Sequence, residues 1–373
     1  MLHPLDDLPL HQTSRPLLHT ATASADHYDR YFHNGHTPDG SIIIGAAMGF
    51  YSGRRVADAA FNIVIDGHQH IHRASRRCDG DRDTTVGGIR IEVVHPMREH
   101  RIIVDGRHGI HADLTWRADT AVIEEPRFVR EDGARTIFDY TRLTQFGSWT
   151  GEITVDGTRI DCADIGPVRG CRDRSWGIRP VGDRPAGPPN APQFFWLWTP
   201  TRFDDRVIHA ALNHDADGRP WHASGATTPL DGGNTPIAPE RVERFGAVDA
   251  TIDWGAGTRW PQQVTTTLHR WRADPVVITH RPIARFQMSG LGYLHPEWGH
   301  GTWRADLDET RETIDLSTVQ PGDPAMLHTQ MICAADCDGM SGTSVVETLA
   351  IGPHSPTGLT GLIDGAITAD DQS

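Results

Sequence analysis

The chain has 373 residues, with 35 basic and 49 acidic side chains and a formal net charge of −14 at pH 7. Nucleic acids and anionic membranes are bound by basic surfaces, so this charge argues against both as partners. The length suits two domains of ordinary size.

The N-terminal segment and the cysteines indicate a cellular compartment. The first residues, MLHPLDD, have neither the basic nor the apolar region of a secretory signal peptide. The longest apolar stretch, residues 42–50, is shorter than the roughly 20 residues of a membrane span. Five scattered cysteines do not predict a disulfide framework. We therefore expect a cytoplasmic protein that is not integral to a membrane. Its oligomeric state stays open.

Short strands joined by tight turns are predicted along the chain. Asp-Gly dipeptides, which favour the type I′ turns of β-hairpins, begin at ten positions: 39, 66, 79, 105, 132, 156, 217, 231, 338 and 364. Segments rich in β-branched residues lie between them, at 61–65, 89–94 and 121–123. No stretch keeps a helical period over three turns. An all-β fold of long antiparallel sheets is expected, closed as barrels or packed as a sandwich.

A proline-rich segment divides the chain. Residues 182–192 (GDRPAGPPNAP) cannot form a central strand, whereas residues 194–199 (FFWLWT), directly after them, are typical of a buried one. We therefore predict an extended leader over residues 1–24, a first β domain over 25–187 and a second over 188–373.

The sequence lacks the motifs of several enzyme classes. The run closest to G-x-S-x-G, residues 147–151 (GSWTG), has its serine one place early. Neither a Walker A loop nor a G-x-G-x-x-G after a strand occurs, and a chain without lysine forms no Schiff base. Serine hydrolases, nucleoside triphosphatases, Rossmann dehydrogenases and pyridoxal phosphate enzymes are excluded. No cofactor is expected.

Three histidines, His68, His70 and His72, alternate along one predicted strand and share a face. With a carboxylate from a neighbouring strand they would suit Zn²⁺ or Fe²⁺. A solvated outer face explains them equally in a chain with 22 histidines. We favour the solvated face and predict no tightly bound metal.

Eleven tryptophans are present, and Trp196 and Trp198 alternate onto one face with Phe194. Buried tryptophans are usually ordinary core. A functional alternative is an aromatic cavity for a lipophilic ligand, whose ring faces would also stabilise a carbocation.

Residues 169–179 (RGCRDRSWGIR) place Asp173 among four arginines. A neighbouring guanidinium would lower its pKa and make it a salt-bridge partner. Alternatively, Asp173 points into an apolar cavity beside Trp176, where desolvation raises its pKa and lets it donate a proton. Gly170 and Gly177 predict tight turns that would aim it there.

A second polar cluster, residues 295–300 (HPEWGH), combines His295, Glu297 and Trp298. A carboxylate beside imidazoles is typical of a general base. Alternatively, these residues have a structural role only, and their polar groups form hydrogen bonds with one another and with the rest of the fold.

Residues 170–177 match the motif G-x-x-D-x-x-W-G, and a tryptophan-containing strand and the turn 215–218 (DADG) follow it. In these features the chain resembles the family of carotenoid 1,2-hydratases (hydroxyneurosporene synthases) and AttH-like proteins. Residues 140–147, 292–301 and 351–356 resemble an actinobacterial branch of that family. The resemblance covers roughly residues 25–365.

The resemblance implies two tandem lipocalin-like (calycin) antiparallel β-barrel domains. It also implies a cofactor-independent enzyme on an isoprenoid- or polyketide-like lipophile, most directly an acid-catalysed hydratase or dehydratase. Asp173 would be the acid and Glu297 or His295 would handle the water. The candidates for substrate contact are Trp176, Trp196, Trp198, Arg172 and Trp298.

One departure from the hydratase motif concerns the acid. The hydratases have His before this Asp and His-Asn after it, whereas here Arg172 precedes Asp173 and Arg174 and Ser175 follow it. Asp173 can be protonated only if these guanidinium groups point away from the cavity. The alternatives are a non-catalytic lipid carrier and a cyclase that acts only by shaping its substrate.

Overall fold

The computed structural model describes residue 11, residues 13–182 and residues 192–366. More than half of these residues lie in strands, and none lies in an α-helix. The all-β prediction is confirmed. The helical turns are short 3₁₀ segments: Ser52–Arg54, Pro239–Arg241, Met288–Leu291, Pro324–Met326 and Ser355–Thr357. In the described ranges no helix is long and apolar enough to cross a membrane.

The strands are numbered in chain order: β1 His27–His36, β2 Ile43–Tyr51, β3 Val56–Ile65, β4 His68–Arg77, β5 Thr85–Val86, β6 Ile89–His95, β7 Glu99–Asp105, β8 Ile110–Ala118, β9 Ile123–Glu124, β10 Phe128–Asp132, β11 Arg135–Val155, β12 Thr158–Asp161, β13 Val168–Ile178, β14 Phe194–Arg202, β15 Arg206–His214, β16 Pro220–Pro229, β17 Glu243–Arg244, β18 Ala247–Trp254, β19 Pro261–Arg270, β20 Ala273–Gln287, β21 Leu307–Asp315, β22 Thr329–Cys337 and β23 Met340–Ile351.

These strands form two curled antiparallel sheets. The first has the order β21-β4-β3-β2-β1-β13-β11-β8-β7-β6-β5, with β9, β10 and β12 also paired to β11. The second has the order β17-β16-β15-β14-β23-β22-β20-β19-β18. Curling brings opposite edges together: Gly88, after β5, donates its backbone N–H to the Glu309 carboxylate of β21 at 2.7 Å.

The predicted domain boundary near residue 187, and residues 1–10 and 12 of the predicted leader, lie outside the described residues. Residues 13–24 contain no strand. The first sheet takes β1 to β13 and also β21, which comes from the second half of the chain and pairs with β4.

Three of the predicted hairpin turns have the backbone that an Asp-Gly pair suits. Asp66, Asp156 and Asp338 have φ angles of 49°, 50° and 51°, and the glycine after each is also at positive φ. Each pair joins two neighbouring strands that are hydrogen-bonded to each other, as a type I′ turn does.

The described residues form four buried apolar clusters, of which the three largest hold the sheets together. One fills the curl of each sheet, and the third lies between the two sheets. Strand β14 shows how alternation divides them: Phe195 and Leu197 enter the core of the second sheet, whereas Trp196 and Trp198 enter the core between the sheets. The tryptophan face of β14 therefore looks toward the first sheet.

Gly170 and Gly177 do not make the turns expected of them. Both lie within β13, which pairs with β1 on one side and β11 on the other. A Cβ atom at Gly170 would lie 2.2 Å from the carbonyl oxygen of Asn34, and one at Gly177 would lie 2.3 Å from that of Asp139. These glycines serve the close approach of neighbouring backbones.

Replacing Gly177 by Ala is expected to destabilise the protein by about 2 kcal/mol or more. Gly177 has a φ angle of +137°, which L side chains rarely adopt, and the added methyl group would meet backbone that cannot move aside cheaply. Urea unfolding measures the loss. Gly322→Ala is the control, since Gly322 is not at positive φ and its added Cβ meets nothing within 4 Å. Equal midpoints for the two variants would contradict this account.

Candidate functional site

A cavity of about 1270 Å³ lies between the two sheets. Its walls come from β1, β11 and β13 of the first sheet, from β14 and β23 of the second, and from residues 288–302. Pockets for small molecules usually measure ~300–1,000 Å³, so this cavity has room for a large ligand. The curl of each sheet is filled by its own core, so the cavity belongs to neither sheet alone.

Two neighbouring strands supply its polar wall. On β1, Tyr28, Arg30 and Phe32 alternate onto the cavity side. On β13, Asp173 and Ser175 do the same, with Asp173 opposite Phe32 in the strand register. Because side chains alternate between the two faces of a strand, the residues between them point away from the cavity.

Asp173 is half-buried at this wall and forms no ion pair with any described residue. Its one hydrogen bond comes from the Ser175 hydroxyl at 3.4 Å. Burial raises the pKa of Asp173 to about 6, although the guanidinium groups of Arg142 and Arg30 oppose the rise. A carboxyl group with this pKa is a proton donor near neutral pH.

The neighbouring arginines of the motif point away from Asp173. Arg172 is buried on the opposite face, where it donates to the Gln145 side-chain oxygen at 2.8 Å. Arg174 forms its ion pair with Asp29. Protonation of Asp173 requires that these guanidinium groups point away from the cavity. Strand alternation meets this requirement.

A buried carboxylate and a histidine lie on the opposite wall. Glu347 of β23 accepts hydrogen bonds from the Trp196 indole at 2.9 Å and from the Gln330 amide at 2.6 Å. The His328 Nε2 lies 2.9 Å from the same carboxylate. Burial opposes ionisation of Glu347, but these donors hold its pKa below the ordinary value.

Because an ionised Glu347 only accepts hydrogen bonds, His328 must donate from Nε2. In the neutral imidazole the proton therefore sits on Nε2, and Nδ1 keeps its lone pair. That Nδ1 atom is buried and has no hydrogen-bond partner among the described residues. A histidine held by a carboxylate at one nitrogen and free at the other is arranged as a general base.

A second buried carboxylate, Glu125, holds Arg142, which lines the cavity beside the tryptophans. Arg142 donates to both Glu125 oxygens, at 2.7 and 2.6 Å. Its guanidinium carbon lies 4.7 Å from the centre of the Trp196 ring and 5.7 Å from that of Trp198. The pKa of Glu125 stays well below its usual range because Arg142 and His209 outweigh burial.

Four of the residues chosen from the sequence line the cavity: Asp173, His295, Trp196 and Trp198. Both ring nitrogens of His295 are engaged. Its Nδ1 accepts the backbone N–H groups of Glu297 and Trp298 at 3.1 and 3.0 Å, and its Nε2 lies 3.7 Å from Glu312. It therefore has less freedom than His328 to accept a proton.

The other four candidates do not line it. Trp176 is 41% exposed on the far face of β13. The Glu297 side chain is 70% exposed and lies 3.5 Å from Arg304, whose guanidinium also covers the Trp298 ring. Arg172 packs over Trp116. The arrangement thus brings together the acid and two tryptophans, but not the whole predicted set.

The His68, His70 and His72 side chains lie on β4, away from the cavity. The solvated face favoured for all three is wrong for His72, which is buried, whereas His68 is exposed. His72 is buried beside His108 and Glu309, with the three possible ligand atoms within 4.8 Å of one another. The Glu309 carboxylate already accepts from Arg107 at 2.8 Å and from the Gly88 backbone. Of the three predicted histidines, this group contains only His72. Elemental analysis of the purified protein tests the prediction that no metal is tightly bound.

Among the polar groups of the cavity that sequence reasoning did not choose are Arg30, Arg142, Tyr293, His328 and Glu347. Two of them carried a signal. A lone glutamate in the apolar run 345–349 (VVETL) is typical of a functional or paired buried carboxylate, and Tyr28, Arg30 and Phe32 share one strand face. The others come from distant segments that only the fold brings together.

Two solved structures share this fold over most of their length. An AttH-type protein from Nitrosomonas europaea has a TM-score of 0.51 and 13% identity, covering 92% of this chain and 98% of its own. Kievitone hydratase from Nectria haematococca has a TM-score of 0.52 and 11% identity, covering 86% and 88%. At such identities the likeness shows the fold alone.

No curated protein matches the chain. A match to a protein family, in contrast, runs nearly from end to end, over residues 2–360. The chain therefore belongs to DUF8625, a family of unknown function.

Proposed function

We propose that the protein adds water to, or removes it from, a double bond of an isoprenoid- or polyketide-like lipophile, without a cofactor, in the cavity between the sheets. The observation that carries this proposal is Asp173, an unpaired carboxyl group at the cavity wall whose pKa is raised to about 6 by burial. The shared fold with a protein named as a hydratase agrees with it.

In the hydration direction Asp173 donates its proton to one alkene carbon. The π electrons form the new C–H bond and leave a cation on the other carbon. The ring faces of Trp196 and Trp198 stabilise that cation, as aromatic faces do for positive charge. The oxygen of a water molecule then attacks the cation.

As the C–O bond forms, His328 Nδ1 takes the proton that the water loses, and Glu347 stabilises the resulting imidazolium. Proton return from His328 to Asp173, directly or through water, restores both groups. The net change is the addition of one H and one OH. Dehydration is the same sequence in reverse.

Incubation with a panel of unsaturated isoprenoids and polyketides in ¹⁸O-labelled water tests the proposal. Mass spectrometry should find a product heavier than its substrate by one labelled water, formed by the wild type and not by Asp173→Asn. Ligand that is bound and released unchanged would make the protein a carrier. A product of unchanged mass, formed equally by both proteins, would make it a cyclase that works by shape.

Replacing His328 by Gln is expected to lower kcat by roughly 10²-fold and to leave ligand binding nearly unchanged. Glutamine can still donate to Glu347 but offers no basic nitrogen. The control is His280→Gln, a buried histidine of β20 that bonds to Thr266 and Ser344 and does not line the cavity. Equal turnover per folded molecule in the two variants would remove His328 from the mechanism.

The sequence indicates the cytoplasm, and we retain that assignment as part of the proposal. All five cysteines are buried and unpaired, which fits a reducing compartment.

A further inference from the structure

Two arginines converge at one end of the cavity. The Nη1 of Arg30 and the Nη2 of Arg179 each lie 3.4 Å from the same atom, Nδ1 of His300. The Arg30 guanidinium also lies over the Tyr293 ring at 4.7 Å, and that of Arg179 lies over Tyr28 at 4.3 Å. Two positive charges are thus held close together in a largely apolar setting.

His300 does not neutralise them. Its Nε2 donates to the Leu291 carbonyl oxygen at 2.9 Å, so its Nδ1 offers only a lone pair to the two guanidinium groups. Burial, followed by the charges of Arg30 and Arg179, lowers the pKa of His300 well below the ordinary value. The imidazole is therefore a neutral acceptor that fixes the positions of both arginines.

No carboxylate of the described chain lies within ion-pair distance of either arginine. Asp58 and Asp173 act on Arg30 electrostatically, and Asp58 also acts on Arg179, but the Asp58 carboxylate accepts from the Gly301 backbone at 2.8 Å and from Tyr51. Arg30 is only 2% exposed, and its Nε atom is buried without a hydrogen-bond partner. Buried charges are normally paired, so this arrangement lacks an anion.

We propose that the ligand of this cavity carries a delocalised oxyanion, a carboxylate or an acidic enolate, which binds Arg30 and Arg179. The planar guanidinium groups present forked donors that match two oxygens. Both arginines line the same cavity as Asp173, and Arg30 is diagonal to it across β1 and β13. The acidic head of the ligand therefore lies near the proposed acid.

This inference rests on the proposed function only in taking the cavity as the binding site. It also removes a difficulty of that function, because two unneutralised guanidinium groups would repel a carbocation formed beside Asp173. A ligand that brings its own negative charge cancels this repulsion.

The alternative is that stacking on aromatic rings alone stabilises both guanidinium groups, with no bound anion. The chain provides a matched case in Arg285, which lies 4.0 Å from the Trp260 ring centre and donates to the Leu316 carbonyl, without a carboxylate within ion-pair distance in the described residues. Arg285 does not line the cavity. It is the control for the experiment.

The experiment measures binding by tryptophan fluorescence at about pH 8, where the acidic probes are ionised. One probe pair is oleate and its methyl ester, and the other is an acidic triketone with a dodecanoyl chain and its O-methyl ether. The wild type should prefer the charged member of at least one pair by roughly tenfold or more. The pair that shows the preference distinguishes carboxylate from enolate.

Arg30→Gln and Arg179→Gln should each reduce this preference while leaving the affinity for the neutral member nearly unchanged, and Arg285→Gln should leave the preference intact. Equal binding of charged and neutral probes to the wild type would overturn the inference. The assay involves no turnover, so its result is independent of the proposed function. If the protein adds labelled water only to neutral lipophiles, the proposed function stands and the inference is wrong. If it binds acidic probes selectively but shows no turnover, the inference stands and the proposed function is wrong.

Discussion

Asp173→Asn is expected to lower the rate of water addition by about 10²–10⁴-fold while the fold and ligand binding persist. Asparagine is nearly isosteric with aspartate and can still accept from Ser175, but it has no proton to donate. The measurement is turnover per folded molecule beside the affinity for the same lipophile. Full turnover in a stable variant would eliminate the acid role and favour the carrier or the shape-driven cyclase.

The same variant has a signature in stability that depends on pH. The pKa of Asp173 is about 6 in the folded protein against 3.8 for the free group, so the folded state binds more protons between those values. Ionisation of Asp173 therefore weakens folding as the pH rises from about 4 through about 6. Asp173→Asn should be more stable than the wild type at about pH 8, by roughly 1–3 kcal/mol, and lose that advantage near pH 4.

A different result would identify Asp173 as a structural anchor. In that case Asp173→Asn would lower the melting temperature at about pH 8 and leave turnover unchanged. Thermal unfolding at the two pH values, measured on the same samples as the rates, separates the two roles.

Glu125→Gln is expected to cost about 3–5 kcal/mol of unfolding free energy, the largest stability effect that we predict. Glu125 is 3% exposed and binds Arg142 through both oxygens, and the Thr144 hydroxyl donates to it at 2.9 Å. Glutamine preserves the shape of the side chain. It removes the negative charge, however, and so leaves the Arg142 guanidinium buried and uncompensated beside Trp196.

The matched control is Asp139→Asn. Asp139 also binds an arginine through both oxygens, but the Arg127 side chain is 64% exposed. Exposed ion pairs contribute about 0–1 kcal/mol, so this change should hardly move the urea midpoint. If the two variants lost similar stability, burial would not be what makes the Glu125–Arg142 pair important.

Local patterns in the sequence were sufficient to predict the all-β class and several of the strands. The Asp-Gly turns at Asp66, Asp156 and Asp338 depend on the backbone preferences of two adjacent residues, and the alternation of Trp196 and Trp198 depends on one strand. Such signals act over a few residues. They require no knowledge of which strand lies next to which.

The site was predictable only in part, because the cavity lies between two sheets. Asp173 was found through a motif, and strand alternation explains why Arg172 and Arg174 turn away from it. His328, which directly precedes β22, and Glu347 of β23 line the same cavity as Asp173 only because the second sheet faces the first. No local pattern encodes that packing. For the same reason Glu297 and Trp176, which the sequence placed at the cavity, are exposed in the structure.

The pairing of β4 with β21 has a consequence for synthesis on the ribosome. More than half of the chain separates the two strands, and until β21 emerges the outer edge of β4 presents unpaired backbone donors and acceptors. An open edge of this length is a template for pairing with another nascent chain. The first sheet therefore completes its hydrogen bonding only after much of the second half has been translated. A fragment that ends at the proline-rich segment would keep the edge of β4 unpaired and prone to aggregation.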